Sequence, residues 1–347
     1  KQSLRTLKIS MGGKIATGGE SKKLYTNLNS VNKIEELNEI VQFKSNINAI
    51  EFINENLVAV GLENSSIWLV RLATKEKLRI FNSKGWKPGK VIKNGTRKMK
   101  SLFRNLIRGI NFLKFSSQNK KLIASLEKEL IIFDINEINN GEKKYLKKMT
   151  LENLENDEVV VSMSFSDSNN TVFMVTNLGN AILFNLNTNK VLKFNDELLN
   201  IINETAVEIE FYSDTVFIGT QEGSIYIYDY QKDNSLKYLN SIRANFSKIN
   251  DILYDQKNIH VITENGDLTV IPYSGKGSNS NVVKIKTPVS INFGDKNFGN
   301  AIESFTYGGV QYFITADRSG NLVYWDLDLE STFDEIKKLY AEKYNDM

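Results

Sequence analysis

The chain has 347 residues, 41% hydrophobic and 24% charged; that is enough apolar mass for a large core, so disorder is not the default. Its 44 Lys and Arg against 41 Asp and Glu leave a net charge of +3, too small to imply a nucleic-acid partner unless the charge is segregated. With no cysteine and a single histidine, disulfide frameworks, thiolate chemistry and multi-histidine metal sites are excluded, and the lack of thiols fits a reducing compartment, nucleus or cytoplasm.

The chain opens on Lys1 rather than Met, as a fragment does, with no secretory signal. No apolar run approaches the roughly 18–20 residues of a membrane span. Residues 4–9 read as a strand that either end of a closed ring can use. Residues 47–52 and 57–61 follow as strands, joined to the next by the polar turn at Glu63 and Asn64. The pattern then recurs. Strands at 159–165, 207–211 and 249–253 precede second strands at 171–176, 215–220 and 259–263, with 110–113 a further first strand and 312–316 a further second strand. Next comes a short turn, often with Gly, as in Gln221-Glu222-Gly223, Glu264-Asn265-Gly266 and Asp317-Arg318-Ser319-Gly320. Gly and Asn accept the positive φ such hairpins require.

The third strand is the clearest. It alternates in hydropathy and ends in a large residue followed by Asp or Asn, as in Tyr324-Trp325-Asp326 and Ile227-Tyr228-Asp229. Aligned on Asp326, its copies place Asn27, Arg71, Asp134, Asn185, Asp229 and Pro272 in register, with successive intervals of 44, 63, 51, 44, 43 and 54 residues. A weaker fourth strand follows, for example at 190–194. Four strands per period of about 43 predict an all-β ring of seven blades over residues 1–330, because one small sheet buries its faces only against its neighbours.

These units resemble WD40 repeats, and the Trp325-Asp326 pair is the best copy of that family's signature dipeptide. The resemblance implies a seven-bladed WD40-like β-propeller acting as a non-catalytic protein-interaction scaffold, a subunit of a multi-protein eukaryotic complex. It is divergent. His260 is the only histidine, so the family's Gly-His dipeptide is missing and its Asp–His–Ser/Thr–Trp network is not expected.

Between Lys77 and Leu126 the chain has no Asp or Glu and fourteen basic residues. The centre of this stretch, about 83–108, reads as a basic insertion near blade three. Its candidate contacts for an anionic partner are Lys84, Trp86, Lys87, Lys90, Lys93, Arg97, Lys98, Lys100, Arg104 and Arg108. Lys and Arg would neutralise phosphates or carboxylates, and Trp86 would stack on a base. The alternatives are a solvated loop, an acidic protein, or RNA or DNA in a ribosome-assembly or chromatin complex. A further alternative is a membrane-traffic propeller, an exchange factor or coat subunit. Lipid-binding propellers carry Phe-Arg-Arg-Gly, of which Ile107-Arg108-Gly109 is a partial echo. Residues 331–347 predict a short C-terminal helix capped by Ser331. Its stripe of Phe333, Ile336, Tyr340 and Tyr344 packs on the rim or docks a partner.

No catalytic constellation, cofactor motif or metal cluster emerges. The Gly- and Lys-containing loop at 274–281 lacks phosphate-loop spacing. His260 sits at an alternating position in a strand and reads as structural. Glu208 and Glu210 alternate on another strand, toward solvent or a neighbouring blade. The expectation is therefore no enzyme, no cofactor and no small-molecule substrate, with a carboxylate-only site in the channel as the one route to catalysis.

Overall fold

The protein is described from a computed structural model. The described residues are 3–27, 37–83, 109–139, 147–151, 154, 158–166, 170–178, 180–188, 190–194, 204–231, 235–276, 283–285, 289–292, 299–307 and 310–325. Blade one holds β1 (Leu4–Ile9), β2 (Ile15–Gly19), β3 (Lys23–Thr26) and β4 (Asn38–Gln42); blade two holds β5 (Ile47–Asn54), β6 (Leu57–Leu62), β7 (Ser66–Arg71) and β8 (Lys77–Asn82). Blade three has β9 (Ile110–Ser116), β10 (Lys121–Leu126), β11 (Glu129–Asp134), a short helix α1 (Ile135–Asn139) and β12 (Lys147–Thr150). Blade four has β13 (Val160–Ser166), β14 (Thr171–Thr176), β15 (Ala181–Asn185) and β16 (Lys190–Phe194). Blade five has β17 (Ala206–Tyr212), β18 (Thr215–Thr220), β19 (Ser224–Tyr230) and β20 (Leu236–Arg243). Blade six has β21 (Ile249–Tyr254), β22 (Asn258–Thr263), β23 (Asp267–Lys276), β24 (Val283–Ile285) and β25 (Val289–Asn292); blade seven has β26 (Gly299–Tyr307), β27 (Val310–Asp317) and β28 (Leu322–Trp325).

Seven antiparallel sheets result. The first strands pack in cyclic order, β1 on β5, then β9, β13, β17, β21 and β26, and β26 returns to β1. Among the described residues the ring closes with no strand exchanged between blades one and seven. Residues 4–9, expected to serve either end of the ring, form the inner strand of blade one. The repeated strand is the third of each blade. Arg71 and Asn27, the poorest matches to Asp326, still end β7 and follow β3, because buried Ile67, Leu69 and Val70, or Leu24, fix those strands rather than the terminal residue. Asp326 itself, the basic insertion and the C-terminal helix lie outside the described residues.

Each blade face is apolar and pairs with the next. One cluster joins Leu24, Ile40 and Val41 of blade one to Ile50, Val60 and Val70 of blade two. Another joins Leu4, Leu7 and Ile15 of blade one to Ala301, Phe305 and Ile314 of blade seven. At the junction of blades six and seven, His260 packs its ring on Phe313, 4.3 Å between centroids. Its Nε2 bonds the Asp255 carboxylate at 2.7 Å. The lone histidine is thus a structural tie, as its position in the strand indicates.

The turns from second to third strand do what their sequences require. Gly223 has φ +94°, and a Cβ there would lie 2.3 Å from the Asn245 carbonyl oxygen. The missing Gly-His dipeptide has a substitute. Just ahead of blade four, buried Glu158 accepts a bond from Thr176 Oγ1 at 2.6 Å and another from Asn180 Nδ2. In blade five Glu204 accepts from Thr220 Oγ1 at 2.6 Å and Ser224 Oγ at 3.0 Å. A carboxylate before the first strand therefore ties the second-to-third turn.

Candidate functional site

The axis of the ring is where charge converges. Aligning the first strands by their pairing puts Lys8, Glu51, Lys114, Ser164, Glu210, Leu253 and Glu303 at one level. One level away lie Thr6, Ala49, Phe112, Ser162, Glu208, Asp251 and Ala301. In every blade the first strand carries a bulge immediately before this second level. A bulge re-aims side chains and tightens twist, and here it recurs at the same place seven times around the axis.

The inner edge of a first strand has no strand partner, so its N–H and C=O groups need other bonds. Side chains of the preceding blade supply them. Ser162 Oγ accepts from the Ile209 amide at 3.2 Å and Ser164 Oγ from Phe211 at 3.0 Å. Those serines donate to Glu208 Oε1 at 2.7 Å and Glu210 Oε2 at 3.2 Å. Asp251 Oδ2 accepts from the Ile302 amide at 2.9 Å, and the Glu51 carboxylate accepts from Phe115. The bulged residues serve the carbonyls. Asn250 Nδ2 donates to the Gly299 oxygen at 2.7 Å, and Asn300 Nδ2 donates to that of Leu4 across the closure. Lys8 pairs with Glu303 at the same junction.

Five carboxylates (Glu51, Glu208, Glu210, Asp251 and Glu303) thus share the axis with two ammonium groups, Lys8 and Lys114. Burial, then the neighbouring Asp251, pushes Glu208 up to about 8. Burial likewise pushes Asp251 up to about 7 and raises Glu51 and Glu210. Burial alone would lower Lys8, but Glu303, Glu51 and Asp251 reverse that and raise it, holding it charged. Near neutral pH the channel is an acid-rich cluster that retains protons. Among the described residues no group of three or more His, Asp or Glu is arranged to hold a metal ion.

Lys84, Trp86, Lys87, Lys90, Lys93, Arg97, Lys98, Lys100, Arg104 and Arg108, and the stripe Phe333, Ile336, Tyr340 and Tyr344, all lie outside the described residues. In chain order the insertion falls between β8 of blade two and β9 of blade three. The basic stretch around it is not one surface. Lys114 points into the channel cluster, whereas Lys77 and Arg79 stand on the perimeter of blade two. There Lys77 Nζ lies 5.3 Å from the Phe43 ring and 5.7 Å from the Trp68 ring, and the Arg79 guanidinium lies 5.5 Å from Trp68. Sequence reading missed both groupings. Stacking the first strands in register would have revealed the axial one.

Fold and axis together define the class: a seven-bladed β-propeller with an acid-rich channel. No family model matches the sequence, and no curated protein matches it. Among the described residues no helix is long and apolar enough to cross a membrane.

Proposed function

We propose that this chain is a non-catalytic interaction platform of the WD40 type, a subunit of a multi-protein eukaryotic complex in the nucleus or cytoplasm. Propellers commonly serve as scaffolds, and fold by itself does not fix function. What supports a non-catalytic role here is the use made of the channel carboxylates. Glu51, Glu208, Glu210, Asp251 and Glu303 each bond a neighbouring blade's amide, hydroxyl or ammonium. They stitch the ring. Cationic charge without an ion pair among the described residues stands on the perimeter at Lys77 and Arg79, ahead in the chain of the basic residues 84–108.

The test is affinity purification of the intact protein from its own cells, with partners identified, beside a variant lacking residues 85–100. A platform retains a reproducible set of proteins, and the deletion removes a subset of them. Recovery of the protein alone would overturn the proposal. Recovery of nucleic acid, lost on the deletion, would move it to the RNA- or DNA-contacting alternative.

A further inference from the structure

Lys77 and Arg79 stand two residues apart on the last strand of blade two. Among the described residues no ion pair joins either to a carboxylate, whereas Lys23 pairs with Glu39, Lys148 with Glu129, Arg243 with Glu204 and Arg318 with Glu264. Lys77 and Arg79 lie in the groove between blades one and two, floored by buried Phe43 and half-buried Trp68, whose rings sit 5.9 Å apart. Lys77 Nζ also donates to the Gln42 carbonyl oxygen of β4 at 2.8 Å. The cations are thus held in place by aromatic faces, with no ion pair to either among the described residues.

The strand that carries them is the last of its sheet. Among the described residues β8 pairs with β7 alone, and its outer edge carries backbone N–H and C=O groups with no strand partner there. On the opposite side chain row Leu78 is 36% exposed. Two adjacent cations repel a second copy of the same edge, which closes it to self-pairing, but they match an acidic strand. Trp68 is flanked by both cations, so its ring is not free to stack a nucleotide base, which favours a peptide over single-stranded nucleic acid.

We propose that the outer edge of β8 receives an extended acidic segment of a partner protein as a fifth strand of blade two, its carboxylates against Lys77 and Arg79 and an apolar residue against Leu78. The mode is strand addition: the backbone ladder holds the segment, and acidic–apolar alternation selects it. This rests on the platform function and names the partner's chemistry at one of its edges.

The experiment uses the full chain and a fluorescein-labelled short peptide of alternating Glu and Val, read by fluorescence anisotropy. Wild type is expected to bind it, with affinity falling as salt rises. Lys77→Glu with Arg79→Glu is expected to bind roughly tenfold more weakly. The milder Lys77→Gln with Arg79→Gln is expected to lose most of the same affinity. Both pairs are exposed, so an unchanged melting temperature checks the fold. A peptide of the same composition with its Glu residues in one block is expected to bind less well than the alternating one. Equal affinity for wild type and variants, or for block and alternating peptides, overturns the proposal. So does a single-stranded oligonucleotide that binds more tightly than the peptide and depends on the same two residues. If the variants still co-purify every partner of the intact protein, the β8 edge falls and the platform stands; if wild type co-purifies none, the platform itself falls.

Discussion

Phe173→Ala is expected to destabilise the protein by about 3–5 kcal/mol, the range for removing a large buried aromatic ring. Phe173 is 1% exposed on β14. Its ring stacks on Phe211 of blade five at 4.7 Å and meets Tyr230 edge-on at 5.1 Å. Around it Val161, Val175 and Leu183 of blade four face Ile209, Val216 and Ile218 of blade five. The vacated space lies between two sheets whose separation is fixed by a closed ring, so collapse is restricted and the cost falls toward the upper end of the range. Against a total stability of 5–15 kcal/mol for folded proteins generally, this is a large fraction. Urea unfolding gives the number, and Phe173→Leu, which keeps most of the volume, is expected to cost far less. A loss below about 1 kcal/mol would mean that blades four and five do not pack through this ring.

The second large effect is on pH dependence. Glu208 and Asp251 have folded values of about 8 and about 7, raised from 4.5 and 3.8. The folded state therefore holds protons that the unfolded chain has released. Stability from these groups is full below the unfolded values and declines as pH rises through the folded ones. Around them in the channel are Glu51, Glu303, Lys8 and Lys114 from other first strands and Glu210 from the strand of Glu208. Raised Glu51 and Glu210 act in the same direction. Raised Lys8 loses its contribution only above the ordinary lysine range. Asp255, lowered by its bond to His260 in spite of burial, acts only at acid pH, where its contribution is lost as pH falls. The melting temperature is thus expected to be several degrees higher at pH 6 than at pH 8.5. Glu208→Gln, neutral at both values, is expected to flatten the slope by raising stability at pH 8.5. A melting temperature that climbs from pH 6 to pH 8.5 contradicts the channel description.

What the sequence made legible was the ring, because its signals are local. A hairpin needs only neighbours in the chain, so the turn at Gly223 and the alternation through Ile225 and Ile227 declare themselves. The resemblance left open what ties the turns where the family's histidine network is missing; Glu158 and Glu204 accept the bonds of Thr176 and Thr220. Any strong acceptor before the first strand meets that need. The axial cluster was hidden because each blade contributes one or two polar residues that look ordinary on a strand. Lys8 and Glu303, paired in the structure, are 295 residues apart. Only closure brings them together. The groove at Lys77 and Arg79 was read as part of a longer basic stretch, since its floor comes from Phe43 and Trp68 on other elements.

All of this depends on blade one closing against blade seven through its own first strand. The chain has no cysteine, so a pair of introduced cysteines can be spin-labelled without background. Labels at Glu20→Cys and Arg318→Cys sit in equivalent exposed turns of blades one and seven, and a reference pair at Glu20→Cys and Asn64→Cys spans blades one and two. Pulsed electron spin resonance is expected to give both pairs a single, narrow distribution at closely similar distance. A broad or markedly longer distribution for the first pair, with the second unchanged, would show an open ring and contradict it.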